Sequence, residues 1–382
     1  MKGGADPQGP PLPPFQPERR DPAAGLNLVQ AADHNLRVTL EALRRGGAQT
    51  RLDLAGVTGL TVPGIANILR RLTEDGLVEP DGGGRSQLFA IRPGGAVALG
   101  LDRTEDGFHL VAIDLFGTIL FEERAARMPE NDAALVRAAA DRLQRERPEA
   151  RLVGIGLAAD PPAEGLRHAL APLPVTIERD TVAAAIAERQ FGTAGADDSF
   201  VHILLGPSVR AGMVIGGSVF DGASHRAGQV GRMRTGTQGR FLDDVASTRL
   251  LPGFDPEAPD VRRWIEAAAE HLTDMIIALS AFLGPRLVTI GGRLPEPLLA
   301  ALTARLAAGW AARMVGPTQP YWLPELRRAS QGEAGVALGL AALPFLETLL
   351  PDPRRSFRGG IMPATGPAAA SASAAPDRPL PA

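Results

Sequence analysis

Residues 200–217 read FVHILLGPSVRAGMVIGG. Two apolar runs flank the short loop GPSVRAG at 206–212, and that spacing predicts a strand, a tight turn and a second strand. Gly206 and Gly212 frame the loop like a phosphate cradle, because a missing side chain lets backbone N–H groups approach an anion. The residues between them oppose that use: Pro207 removes an N–H, and Val209 and Arg210 put bulk where a phosphate would lie. The loop has the frame of a phosphate cradle without its chemistry.

Working outward, the surrounding chain alternates strands and helices. ALGLDRTEDGFHLVAIDLFGTILFEERA predicts three antiparallel strands with turns at 105–107 and 116–117. A helix over about 132–146, strands LVGIGLAA and PVTIERD, and a helix from Thr181 to Phe191 follow. Beyond the opening stretch, a long helix over about 259–283 precedes the strand LVTIGG. A meander, crossover helices and a second sheet in that order predict an α/β protein of two similar lobes over 95–350. No period of a sequence repeat appears.

Residues 27–94 have another character. Apolar residues recur at three and four, which predicts three short helices with glycine stops. Thr50 is placed to cap the second helix and Thr61 the third, where Pro63 falls in the tolerated first turn. Thr58-Gly59-Leu60 turns the chain, and Leu54, Val57, Leu60, Ile65, Ile68, Leu69 and Leu72 form the expected seam. This is a helix-turn-helix layout. The stretch LVEPDGGGRSQLFAIRP then reads as a hairpin, completing a winged helix. The third helix would enter the major groove with Thr61, Pro63, Gly64 and Asn67 toward base edges, Asn67 being able to pair bidentately with adenine. Arg70 and Arg71 lie further along, suited to phosphates, and the Gly-rich turn of the wing carries Arg85.

Composition narrows the functions available. The chain has no cysteine, which excludes disulfides and thiolate metal ligands, and its six histidines show no ligand-like spacing, so no metal and no cofactor are expected. Lys2 is the only lysine among 382 residues, which removes a Walker-type or Schiff-base lysine from the folded regions. The net charge of −3 argues against a broadly basic surface while leaving room for one small DNA-reading patch. Residues 1–26 and 351–382 are Pro-rich or Pro/Ala/Ser-rich without an apolar period, and disorder is expected in both. The N-terminus lacks the apolar stretch of a signal peptide and no run spans a membrane, so a cytoplasmic protein with no membrane partner is expected.

Taken together in order and spacing, TRLDLAGVTGLTVPGIANILRRLTEDGLV, VAIDLFGTIL, VGIGLAADPP, PVTIERDTVAAAIAERQFG, FVHILLGPSVRAGMVIGG, FDGASHRAGQVGRM and PRLVTIGGRLPE resemble the regulator branch of the ROK family (repressor, open reading frame, kinase). The resemblance runs from about residue 35 to 350. It implies a winged helix-turn-helix, whose wing places Arg85 in a DNA minor groove, followed by an actin-like, ribonuclease H-like sugar-kinase domain of two lobes. In kinase members a loop resembling GTGIGAG contacts nucleotide phosphate and one resembling DIGGT a second part of it; here they read GPSVRAG and LDRTEDG, with Asp102 kept and the glycines lost. The family's CxCGxxGC zinc motif corresponds to RTGTQGRF, and its AGEIGH segment to AGQVGR. Zinc is therefore not expected.

The resemblance also implies the ligand pocket. Family members use an Asn-Asp pair with the Glu and His of AGEIGH to hold a sugar; the matching positions are Arg179, Asp180, Gln229 and Arg232. Asp180 matches the catalytic base of the kinases, vestigial without a positioned nucleotide. The changes remove one negative charge and add two guanidinium forks, which favours a sugar acid or sugar phosphate over a neutral sugar. The expectation is a homodimeric regulator, a repressor that binds a double-stranded DNA operator and senses a sugar-related effector through a domain without catalysis, with assembly beyond the dimer left open. Two alternatives stand beside it: a sugar or amino-sugar kinase with an appended DNA-binding domain, and a DNA-binding or dimerisation protein indifferent to ligands.

Overall fold

The structure is a computed structural model and describes residues 28–82, 87–104, 107–126, 131–160, 163–195, 197–222, 226–313 and 323–354. The expected disordered segment 1–26 and most of 351–382 lie outside the described residues, as does the wing tip with Arg85.

The N-terminal part comprises α1 (Leu28–Gly46), β1 (Gln49–Thr50), α2 (Arg51–Thr58), α3 (Val62–Glu74), β2 (Val78–Asp81) and β3 (Leu88–Ile91). Local chemistry fixes its turns. Thr50 and Asp53 form a reciprocal capping box at the start of α2, and Gly59 ends it in the left-handed region at φ 70°, which glycine adopts without a Cβ penalty. The Thr61 hydroxyl accepts from the Gly64 N–H to start α3. The axes of α2 and α3 differ by 110°, as in helix-turn-helix pairs. Antiparallel β2 and β3 form the expected hairpin, and β1 adds a third strand where the sequence suggested only a helix start. The first helix is also longer than expected, at 19 residues.

The apolar seam holds with one correction. Leu54, Ile65, Leu69 and Leu72 are buried, and Leu60 and Ile68 pack against them. Val57 is instead 70% exposed. The inward arc of α2 is centred between Leu54, Ala55 and Thr58, and Val57 lies well round the helix from that centre.

Two five-stranded sheets follow with the same strand pattern. The first contains β4 (Ala96–Thr104), β5 (Gly107–Asp114), β6 (Ile119–Ala125), then after α4 (Asp132–Glu146) β7 (Arg151–Ala158), and after α5 (Glu164–Ala169) β8 (Val175–Glu178). Its order is β6-β5-β4-β7-β8. The bridging helix α6 (Asp180–Phe191) leads to β9 (Phe200–Leu205), β10 (Arg210–Ile215) and β11 (Ser218–Val219). A small hairpin of β12 (Arg234–Thr235) and β13 (Arg240–Phe241), then α7 (Asp243–Ala246) and α8 (Pro259–Leu283), precede β14 (Leu287–Gly292). The chain then adds α9 (Glu296–Arg313), β15 (Glu325–Arg328) and α10 (Gly335–Thr348). The second sheet runs β11-β10-β9-β14-β15, so each lobe is an antiparallel meander extended by two parallel strands.

Strand alternation assigns the cores. In β4, Val97, Leu99 and Leu101 face α4 and α5. Ala96 and Ala98 face a larger core shared with α6, α10 and the winged helix, which runs from Leu36 to Leu350. The outer face of the second sheet is covered by α8 and α9. No single helix among the described residues is long and apolar enough to cross a membrane.

His202 on β9 is buried and bonds the Thr289 hydroxyl on β14 at 2.9 Å. Burial pulls its pKa from 6.5 down to about 4. The folded state thus resists a proton that the unfolded chain accepts below pH 6.5, and stability present above that pH drains away as the pH falls toward 4. A shift of this size corresponds to about 3 kcal/mol. Urea unfolding between pH 7 and 4 is expected to show this loss in the native protein and a smaller one in His202→Gln, which keeps a donor toward Thr289 but cannot titrate.

Candidate DNA interface and effector cavity

The third helix presents a polar face away from the core. Thr61, Pro63, Asn67, Arg70 and Arg71 are exposed and Gly64 is half-buried. Pro63, Asn67, Arg70 and Glu74 share one face by helical spacing. Asn67 Oδ1 accepts from Arg70 Nη2 at 3.2 Å, while Arg71 sits 4.0 Å from Asp33 on α1. The Thr61 hydroxyl is occupied by its capping role, at 3.3 Å from the Gly64 N–H.

The second site is the cleft between the sheets, where α6 starts. A cavity of about 360 Å³ is lined by Arg179, Asp180, Gln229 and Arg232 together with Asp160, Ser208, Arg210 and Asp243. All four residues matched to the pocket by sequence therefore converge. An adjoining cavity of about 150 Å³ shares Asp160, Asp180, Ser208 and Arg210, and adds Arg103, Pro207, Arg249 and Arg293.

Ion pairs organise this cleft. Arg210, on the first residue of β10, places Nη1 at 3.2 and 3.4 Å from the two oxygens of Asp180. Its Nη2 lies 3.7 Å from Asp160. Arg293, just after β14, grips Asp102 at the far end of β4 through Nε and Nη2 at 2.9 and 2.8 Å. Its Nη1 is 3.5 Å from Asp180. Burial works against the Arg293 charge, but Asp102 and then Asp180 outweigh it and hold its pKa above the usual arginine value. Asp180 thus sits between two guanidinium groups.

The loop at 206–212 still binds an anion, and the anion is the protein's own. Asp243, at the start of α7, accepts from the Ser208 hydroxyl at 2.8 Å and from the Val209 N–H at 2.7 Å. Gly212 has a packing reason to lack a side chain: a Cβ there would stand 2.2 Å from the Thr181 carbonyl on α6. Arg179 pairs with Asp221, a partner the sequence did not indicate. Arg232 is exposed and forms no ion pair among the described residues. Sequence reasoning missed Arg293, Arg249 and Asp160. The one available signal was an arginine directly following the LVTIGG strand, at a sheet edge where α/β proteins open their clefts.

The region matching the zinc motif is closed by other means. In the β12–β13 hairpin Arg234 stacks 4.4 Å from the Phe241 ring centre, and its Nη1 donates to the Gly239 carbonyl at 2.8 Å. Among the described residues no group of three His, Asp or Glu could hold a metal ion.

Comparison with known proteins agrees with both halves. Residues 33–79 match the winged helix-turn-helix DNA-binding family. The xylose repressor of Caldicellulosiruptor bescii is 26% identical over 230 residues, covering 52% of this chain and 57% of the repressor. The chain thus spans little more than half the length of that curated relative. An uncharacterized protein, y4fQ of Sinorhizobium fredii, is 27% identical over 358 residues, covering 81% of this chain and 90% of its own. Among solved structures, a ROK family transcriptional regulator homologous to the E. coli MLC protein superposes with a TM-score of 0.66 at 17% identity, covering 86% of this chain and 98% of the regulator. A glucokinase of the ROK family from Streptomyces griseus, in complex with glucose and AMPPNP, gives 0.52 at 19% identity over 65% of this chain and 98% of its own. The chain thus joins a segment similar to the winged helix-turn-helix DNA-binding family to a two-lobed domain with the fold of these solved ROK-family structures, in the same order as in the regulator.

Proposed function

We propose that this chain is a sequence-specific transcription regulator, a repressor acting as a homodimer on a double-stranded DNA operator in the cytoplasm. Its kinase-like domain senses an acidic, sugar-related metabolite and carries no phosphotransfer. The xylose repressors among its relatives support a sugar-related signal. The acidic character rests on Arg179, Arg210 and Arg232 lining one cavity with Gln229 where the family resemblance implies a glutamate. Two half-sites read by two copies would multiply the phosphate contacts that one nearly neutral winged helix can make.

The observation that carries the loss of catalysis is the occupation of the old reaction centre by internal pairs. Asp180, at the position of the catalytic base, is engaged by both Arg210 and Arg293. Asp243 fills the cradle of the 206–212 loop, and Pro207 removes a donor from it. Retention of Asp180 and Asp102 and the fold shared with the glucokinase favour the kinase alternative. The Arg179–Asp221 pair favours a ligand-indifferent protein, since it commits one cavity arginine to a structural partner.

Selection from a random DNA pool is expected to enrich a palindrome. Asn67→Ala should weaken binding to that site by about 10- to 100-fold, the value of one bidentate base contact. Failure to enrich any sequence by a folded dimer would overturn the regulator. With the operator in hand, sugar acids and sugar phosphates should release or tighten the complex at concentrations where D-xylose and D-glucose do not; equal action by the neutral sugars would overturn the acidic effector. ATP with magnesium should leave the melting temperature unchanged, and a nucleotide-dependent rise would restore the kinase reading. Arg293→Met should cost about 3–5 kcal/mol in chemical unfolding because it strands the buried Asp102 carboxylate, and Asp102→Asn in the same chain should recover much of the loss.

A further inference from the structure

The proposed sensing requires a physical route from the cavity to the DNA-binding helices, and one helix touches both. Arg179, Asp180 and Thr181, at the first turn of α6, line the effector cavity. Near its other end, Gln190 meets α1 of the winged helix. There Arg44 Nη2 donates to Gln190 Oε1 at 2.7 Å, and Nη1 lies 3.4 Å from the Gln190 carbonyl. Arg44 is itself held by Glu41 at 2.7 and 2.9 Å and its side chain is only 6% exposed. Neighbouring Arg45 reaches the Gly195 carbonyl at 3.4 Å, in the loop after α6.

Between these ends α6 has no cushion. Residues Thr181 to Glu188 are all buried. A Cβ on Gly339 of α10 would stand 1.7 Å from the Ala183 carbonyl, and one on Gly212 of β10 would stand 2.2 Å from the Thr181 carbonyl. Backbone therefore rests on backbone along both sides, and a displacement at the first turn cannot be absorbed by rotamer changes. At 12 residues the helix spans roughly 18 Å. On the receiving side, Leu36, Leu40 and Leu43 of α1 share one core with Leu54, Ile65, Leu69 and Leu72 of the helix-turn-helix. Arg37 of α1 adds a grip on α10, donating to the Leu346, Glu347 and Leu350 carbonyls at 3.0, 2.6 and 3.3 Å.

We propose that α6 is the transmission element of this protein: a charge change at Asp180 moves the helix as a rigid body, and the Arg44–Gln190 clamp delivers that movement to α1 and the DNA-reading helices. This inference rests on the regulator reading above, so the test is built on two readouts, one of which needs no DNA. Asp180→Asn serves as the probe, because it removes the charge that Arg210 and Arg293 hold without requiring a known effector. Full-length protein, Asp180→Asn, Arg44→Ala, the double variant and an Arg44→Lys control are compared by amide hydrogen exchange over residues 28–46 and by affinity for the selected operator.

The expected result is that Asp180→Asn changes exchange in α1 when Arg44 is present and not in the Arg44→Ala background, with Arg44→Lys restoring part of the response. Operator affinities should then be non-additive by about threefold or more. Additive effects in both readouts, or an exchange change in α1 that survives Arg44→Ala, would overturn the clamp. A clamp-dependent exchange response without operator binding would uphold the transmission element and defeat the regulator reading instead. Thermal unfolding of each variant separates these outcomes from general destabilisation.

Discussion

The structure depends on the direct contact of backbone with backbone where α6 and α10 cross the sheets. A Cβ on Gly100 of β4 would lie 2.1 Å from the Ala337 carbonyl of α10, and one on Gly156 of β7 would lie 1.9 Å from the Leu340 carbonyl. Gly339 makes the equivalent approach from α10 to α6. Such contacts leave no side chain to adjust, so they set the resting spacing of the two helices and the first sheet, and α6 can move only with the backbone packed against it. That spacing puts the first turn of α6 in the cleft and its last turn beneath α1. The cleft, the clamp and the seat of the winged helix rest on Gly100, Gly156, Gly339 and, where β10 meets α6, Gly212.

Much of this was legible in the sequence where local chemistry decides the conformation. Thr50, Gly59 and Thr61 announced the helix-turn-helix because caps and a left-handed stop act over a few residues. The antiparallel meander of β4, β5 and β6 was legible from alternation and turns, and so was α8, whose apolar period runs along one face. The pocket residues Arg179, Asp180, Gln229 and Arg232 were matched through resemblance, and the fold gathers them on one cavity.

What escaped the sequence lacks a local signature. The helix α10 is buried from Val336 to Leu346, so it carries no polar face and no period, and Pro344 within it reads as a breaker. Val57 looked like a seam residue because it fits a spacing of three from Leu54, yet a helix of eight residues buries only a narrow arc. The pairs Arg293–Asp102 and Arg210–Asp160 join residues from opposite lobes, and no spacing rule connects positions so far apart. Asp243 filling the 206–212 loop is of the same kind: the loop showed that phosphate was unwelcome but not what replaced it.

That replacement has a consequence for how the proposed sensor would respond. A kinase cleft waits for a nucleotide with unsatisfied donors, whereas here the donors are already answered by Asp243, Asp180 and Asp102. Binding of an anion at Arg179, Arg210 or Arg293 must then proceed by exchange, with the ligand taking a guanidinium from a resident carboxylate, whereas Arg232 forms no ion pair among the described residues. The net gain is a difference between two charge pairs, smaller than a new pair in a dry cavity. A neutral sugar offers nothing for such an exchange, and an acid does. Because Asp180 belongs to α6, any exchange at Arg210 also changes the forces on the helix that reaches the winged helix. Under the proposed reading, the pairs that ended catalysis in this cleft are the same ones that give an acidic ligand leverage over the DNA-binding end, provided it binds the two states unequally.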